Sequence, residues 1–224
     1  MKLSSRTGTL QAIEKQRAIA VVRLDDATRL VPVIEALGAG DVCIVEVTVT
    51  IPGALEAMAN SKLDSQILIG AGSVLDPETA RLAILAGARF VVGPTVSPAV
   101  ISLCHRYDVV AIAGAYTPTE IVTACEAGAD LVKVFPARSL GPGYLKDLHG
   151  PLPQVRLVPT GGVTVENATA FLEAGAFAVG VGGNLAPRDA VARGDYARIT
   201  DQARRLVRAI REPRESEEGS RCHQ

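Results

Sequence analysis

A short β-branched run returns eight times along this chain, at near-equal intervals, and that rhythm limits the fold more than any other feature. The runs are 19–23, 42–48, 66–70, 89–92, 109–113, 130–135, 155–159 and 177–181. Segments of helical periodicity follow them, as at 27–37, 77–86, 119–127 and 165–174. Strands that alternate with helices indicate βαβ units and a parallel sheet. Eight such units within 224 residues match one small (β/α)8 TIM barrel, an α/β fold. A doubly wound open sheet is the alternative. It rarely needs eight equal units, and no G-x-G-x-x-G follows the first run.

An internal repeat supports the barrel. Ala39-Gly40, Ala86-Gly87-Ala88, Ala127-Gly128-Ala129 and Ala174-Gly175-Ala176 each close a helical segment before a strand. The glycines are spaced by 47, 41 and 47 residues, two βα units each time. A left-handed glycine cap is expected at each. Helix starts are marked by Asp76-Pro77-Glu78, Thr117-Pro118-Thr119-Glu120 and Thr164-Val165-Glu166. Residues 7–17 read as an extra N-terminal helix that covers the barrel bottom, and 195–211 as an amphipathic helix. The barrel is therefore expected to occupy 1–211. The charged remainder, 212–224, reads as a disordered C-terminal tail.

Charge excludes several partners. Lys plus Arg is 23 and Asp plus Glu is 24, which leaves no footprint for nucleic acid or an anionic membrane. The longest uncharged apolar stretch, 90–104, is broken by Gly93, Pro94 and Pro98 and cannot span a bilayer. Arg6, Glu14, Lys15 and Arg17 interrupt any apolar run before residue 18, so no export signal is expected there. Cys43, Cys104, Cys125 and Cys222 show no C-x-x-C spacing and read as reduced thiols in the cytoplasm. His105, His149 and His223 are too dispersed to suggest a metal site.

Five of the 23 basic residues are lysine, and one of them stands inside a strand. The sixth run reads Asp130-Leu131-Val132-Lys133-Val134-Phe135, and the second reads Val42-Cys43-Ile44-Val45-Glu46-Val47-Thr48. By the two-residue period, Lys133 shares a face with Leu131 and Phe135, and Glu46 with Ile44 and Thr48. A layer of barrel interior comes from alternate strands. Strands 2 and 6 can thus bring Glu46 and Lys133 together, with Arg23 at the same rim. One reading is a structural ion pair, although burying two charges often gains nothing over an apolar pair. The other is a reactive amine. Burial and a nearby cation favour its free form, which attacks a ketone to give a Schiff base. The iminium accepts electrons as a nearby C–C bond breaks, and Glu46 would move protons.

The seventh and eighth runs end in double-glycine turns, Pro159-Thr160-Gly161-Gly162-Val163 and Gly182-Gly183-Asn184. Barrels often bind phosphate with these two loops. Tight turns alone would also call for glycine. Ser73, after the third run, can reach the barrel mouth or simply pack its loop. Pro94, after the fourth, shapes the rim.

Glu46-Val47-Thr48, Gly70-Ala71-Gly72-Ser73-Val74-Leu75, Lys133-Val134-Phe135-Pro136-Ala137, Pro159-Thr160-Gly161-Gly162-Val163 and Gly182-Gly183 occur in an order that resembles the KDPG/KHG aldolase family over about residues 10 to 210. KDPG is 2-keto-3-deoxy-6-phosphogluconate. The resemblance implies a class I lyase, free of metal and cofactor, that cleaves a phosphorylated keto sugar acid to pyruvate and glyceraldehyde 3-phosphate. It implies a Schiff base on Lys133 and proton transfer by Glu46. It places Gly161, Gly162, Gly182, Gly183 and Asn184 on the phosphate. Arg23, Thr50, Ser73, Pro94, Phe135 and Thr160 would contact the rest of the substrate, and a homotrimer is implied. Thr50 occupies a position where many members carry a carboxylate-binding Arg, so Arg23 is expected to take that anion. Asn184 stands where Ser is common. The galactonate epimer and 4-hydroxy-2-oxoglutarate are alternative substrates. Another phosphate-binding barrel enzyme, such as an isomerase or a thiamine-phosphate-type synthase, would not need Lys133. A non-catalytic phosphosugar sensor would not need both Lys133 and Glu46.

Overall fold

The computed structural model describes residues 5–211. The expected tail at 212–224 lies outside them. Helix α1 (Arg6–Gln16) leads into β1 (Ala18–Val22), α2 (Leu30–Ala39), β2 (Ile44–Thr48) and α3 (Ala54–Asn60). Then come β3 (Leu68–Gly72), α4 (Pro77–Leu85), β4 (Phe90–Val92), α5 (Pro98–Arg106), β5 (Val110–Ala115) and α6 (Pro118–Glu126). The chain continues through β6 (Leu131–Val134), α7 (Gly141–His149), β7 (Leu157–Pro159), α8 (Ala168–Glu173), β8 (Val179–Val181), α9 (Arg188–Arg193) and α10 (Tyr196–Arg211).

All eight expected strands form and pair in parallel, in the order β7-β6-β5-β4-β3-β2-β1-β8. A single parallel bridge, Thr160 to Gly180, joins β7 to β8 and closes the ring. The result is a (β/α)8 TIM barrel with an added N-terminal helix, as the repeat predicts.

Burial separates two apolar cores. One lies between sheet and helices, with Val22, Val45, Val91, Val132 and Val179 facing outward against residues such as Ile34, Ile101, Ile121 and Leu206. The other fills the barrel with Ile19, Ile44, Phe90, Val92, Val110, Ile112, Leu131 and Val158. Ile13 of α1 joins this inner cluster, so the first helix plugs the bottom as expected. Arg6 fastens that plug. Its Nη2 lies 2.6 Å from Asp130 Oδ1, at the foot of β6, and Asp130 Oδ2 also accepts the Ala111 N–H. Burial, followed by the charge of Asp130, pushes the Cys104 thiol up to about 12.

Two local expectations change. Gly87, Gly128 and Gly175 take the left-handed conformation, but Gly40 has φ −98° and Asp41 takes the turn at φ 65°. Packing explains Gly40 instead. A Cβ there would lie 2.4 Å from the Cβ of Ala203 on α10, so the glycine lets two helices approach. The helix start expected at Thr164 falls at Ala168. The Thr164 N–H is donated to Asn167 Oδ1 and the Val165 N–H to Asn184 Oδ1, which holds residues 164–167 as a turn. The caps at Asp76 and Thr117 form as expected.

Glycines on the strands make room for larger neighbours inside the barrel. A Cβ on Gly70 would fall 2.2 Å from the Phe90 ring. Gly70→Ala is therefore expected to overpack the inner core by about 1–3 kcal/mol. Thermal unfolding should show a Tm several degrees lower, and an unchanged Tm would contradict this packing.

Candidate active site

The period-two placement of charges holds in three dimensions. Lys133 and Glu46, 87 residues apart, meet inside the barrel, with Lys133 Nζ 3.2 Å from Oε1 and 3.4 Å from Oε2 of Glu46. They are 7% and 3% exposed, so water screens the pair weakly. Removing one partner of such a pair typically costs several kcal/mol, because the other charge is left buried. Two neighbours shape this position. A Cβ on Gly72 would sit 2.1 Å from Glu46 Oε1, so the glycine supplies the space the carboxylate fills. The Phe135 ring centroid lies 5.4 Å from Lys133 Nζ, within the range where a ring face attracts a cation.

Above the pair opens a pocket of about 710 Å³, with Lys133 on its wall. Most of the expected residues converge there: Arg23, Ser73, Pro94, Phe135, Thr160, Gly161, Gly162, Gly182, Gly183 and Asn184 all line it. Glu46 reaches the pocket through its contact with Lys133. Thr50 does not line it. Strand β2 ends at Thr48 and the chain turns away. Thr50 is exposed, and its hydroxyl donates to Thr48 Oγ1 at 3.3 Å.

The lining residues are held in different ways. Ser73 has φ 63°, a left-handed conformation unusual outside glycine. This costs roughly 1–2 kcal/mol, and such strain clusters at functional positions. The Gly93-Pro94 segment crosses into the barrel because Gly114 has no side chain. A Cβ there would lie 2.3 Å from the Pro94 carbonyl. Thr160 occupies space left by Gly180, whose Cβ would be 2.2 Å from Thr160 Oγ1.

The two double-glycine turns are glycine for different reasons. Gly161 and Gly162 both have positive φ, 82° and 94°. They also pack against the segment after β6, where a Cβ on Gly162 would meet Arg138 Cβ at 2.7 Å. Gly182 and Gly183 lack positive φ. Within 4 Å a Cβ would meet Val21 at Gly182, at 3.7 Å or beyond, and nothing at Gly183. Neither conformation nor packing demands glycine at 183, which leaves its backbone open to an approaching ligand. Asn184 and Asn167 tie the two turns together. Asn184 Oδ1 accepts the Val165 N–H at 3.0 Å, and Asn167 Nδ2 donates to the Gly162 carbonyl at 3.0 Å.

Sequence reasoning missed Arg138, Ser139 and Arg188, which also line the pocket, and the brace at Asn167. Each is a single polar residue in a connection or at a helix start, with no periodicity to mark it. The one available signal was the proximity of Arg138 to Lys133 and of Arg188 to the second double glycine.

Comparison with known proteins agrees with this geometry. A family model described as KDPG and KHG aldolase matches residues 10–202. The 2-dehydro-3-deoxy-phosphogluconate aldolase of Treponema pallidum is 35% identical over 202 residues, covering 89% of this chain and 96% of that protein. A solved structure described as native KDPGal superposes with a TM-score of 0.80 at 30% identity, covering 87% of this chain and 94% of its own. The KDPG aldolase of Legionella pneumophila, with pyruvate captured as a covalent carbinolamine intermediate, superposes with a TM-score of 0.79 at 28% identity. It covers 88% of this chain and 97% of its own. The family model and the relatives match nearly the whole of this barrel, and the chain belongs to the KDPG and KHG aldolase family.

Proposed function

We propose that this protein is a class I aldolase that cleaves KDPG, or a close analogue, to pyruvate and glyceraldehyde 3-phosphate. The buried contact between Lys133 and Glu46, at the base of a pocket ending in two glycine turns, carries this reading. The Lys133 amine attacks the C2 ketone. Glu46, at hydrogen-bond distance, takes and returns the protons that turn the carbinolamine into an iminium and water. The same carboxylate then accepts the C4 hydroxyl proton. The C3–C4 bonding pair moves into the C2–C3 bond, the iminium nitrogen takes up the displaced electrons, and the aldehyde leaves. Protonation of the enamine at C3 and hydrolysis release pyruvate and restore Lys133.

Arg23 and Ser73 line the pocket, as Thr50 does not, and are assigned to the substrate carboxylate. Phe135, Pro94 and Thr160 enclose the carbon chain. Gly161, Gly162, Gly182, Gly183 and Asn184 are assigned to the phosphate. The galactonate epimer is the second reading, supported by Arg23 in the pocket and by the likeness to the native KDPGal structure. The described cysteines are free, in keeping with a cytoplasmic enzyme. No helix among the described residues is long and apolar enough to cross a membrane.

A homotrimer is the assembly we assign. Leu82 and Leu85 lie three residues apart on α4, 55% and 62% exposed. Exposed apolar side chains on one helix face suit an association surface.

Pyruvate with sodium borohydride should leave one reduced adduct, on Lys133 alone, in a peptide map. Lys133→Arg keeps a cation opposite Glu46 but has no amine. It should retain a cooperative thermal transition while losing both adduct and turnover. Glu46→Gln should slow cleavage on the order of a hundredfold or more while still allowing some adduct. An unlabelled Lys133 in folded protein would overturn the Schiff-base mechanism.

Gly183→Ala should leave the Tm unchanged yet raise KM for the phosphorylated substrate several-fold. An unaltered KM would remove Gly183 from the phosphate site. Light scattering should give the mass of three chains, and Leu82→Glu with Leu85→Glu should give single chains. A wild-type monomer would refute the assembly.

A further inference from the structure

We propose that Arg138 and Arg188 grip the phosphate and make this chain selective for phosphorylated keto acids over dicarboxylate ones. The inference rests on the aldolase reading above and goes beyond it, because the glycine turns alone would offer only backbone N–H groups.

The first support is the charge of the pocket. Its lining holds Arg23, Lys133, Arg138 and Arg188, and no Asp or Glu. Glu46 offsets Lys133. Three guanidiniums remain to be matched by a ligand. KDPG carries one carboxylate and a phosphate monoester, about three negative charges in all. The dicarboxylate 4-hydroxy-2-oxoglutarate carries two. Three arginines complement the trianion.

The second support is where the two arginines stand. The stem of Arg138 lies against the Gly161-Gly162 turn, because a Cβ on Gly162 would be 2.7 Å from Arg138 Cβ and 2.8 Å from its Cα. Its side chain therefore springs from beside the first turn and lines the pocket. Arg188 is the first residue of α9, where the connection that begins with Gly182-Gly183 ends, and it lines the pocket. Each double-glycine turn therefore has its own arginine.

The third support is that both are unpaired. Neither Arg138 nor Arg188 makes an ion pair or hydrogen bond among the described residues. The contrast within α9 is direct. Asp189, adjacent to Arg188, binds Arg193 and Arg198. Asp189 is thus occupied by other arginines, and although Arg188 also borders an adjacent cavity with Asp25 and Asp26, it makes no ion pair with either. A guanidinium suits this task, since it presents paired donors that match phosphate geometry.

The test compares the full-length protein with Arg138→Ala, Arg188→Ala and the double variant. Cleavage of KDPG and of 4-hydroxy-2-oxoglutarate is measured on each, together with borohydride trapping of pyruvate. Each single variant should lower kcat/KM for KDPG about tenfold, mainly through KM, as expected for loss of a charge-assisted contact. Arg→Lys at either position should restore part of that loss. The ratio of kcat/KM for the phosphorylated over the dicarboxylate substrate should fall in step, and the double variant should approach parity between them. The pyruvate adduct on Lys133 should still form in every variant, which shows that the fold and nucleophile persist. Equal losses on both substrates, or no loss on KDPG, would overturn the inference and leave the aldolase reading standing. Absence of a pyruvate adduct in the wild type would overturn the aldolase reading, and this inference with it.

Discussion

The buried contact between Lys133 and Glu46 is the constraint around which the rest of this barrel is arranged. Two charges inside a protein are costly unless they hold each other at close range. At 3.2 Å they do. That distance requires β2 and β6 to present them at one height across the barrel. It also requires Gly72 to leave space beside the carboxylate, since a Cβ there would overlap Glu46 Oε1. The inner apolar cluster below, from Ile13 through Phe90 to Leu131, closes the bottom and leaves the top as the route to solvent. An apolar pair of similar volume would serve the fold at least as well. The ion pair is therefore most economically explained by chemistry.

Period and spacing made the scaffold legible, because they are properties of many residues at once. Eight β-branched runs and their intervening helices predicted the barrel, and the two-residue alternation placed Glu46 and Lys133 on the inner face. Features that depend on one residue were harder to read. Strand β3 begins at Leu68, two residues after the first expected position, since Asp64 captures the Gln66 N–H in a turn. Gly40 looked like its three counterparts but answers to the closeness of α10. Thr50 enters the site only by analogy; in the fold it stands in the turn after β2 and does not line the pocket. Arg138 and Arg188 carry no pattern at all. Only the fold shows that both stand at the pocket.

Glycine at a barrel mouth has three separate causes here, and sequence cannot tell them apart. Gly161 and Gly162 are needed for left-handed backbone. Gly72, Gly114 and Gly180 are needed because a neighbour occupies the place of their side chain. Gly183 satisfies neither condition. A residue that the chain's own structure does not require is a stronger pointer to a ligand than one it does. This distinction, more than the presence of a double glycine, directs attention to the turn after β8.

The division of labour follows from how each part is held. Lys133 and Glu46 sit on strands, fixed by ladder hydrogen bonds and by the inner core, so their separation can vary little without cost to the whole barrel. Arg23 and Arg138 sit on connections and Arg188 at the start of α9, all three exposed and outside the apolar clusters. A substitution among them leaves the apolar clusters untouched. The strand chemistry can therefore stay constant while the loops change which anion is recognised at the far end of the substrate. In this chain the turn after β2 holds Thr50, which does not line the pocket, while the pocket's arginines stand after β1, after β6 and at the start of α9.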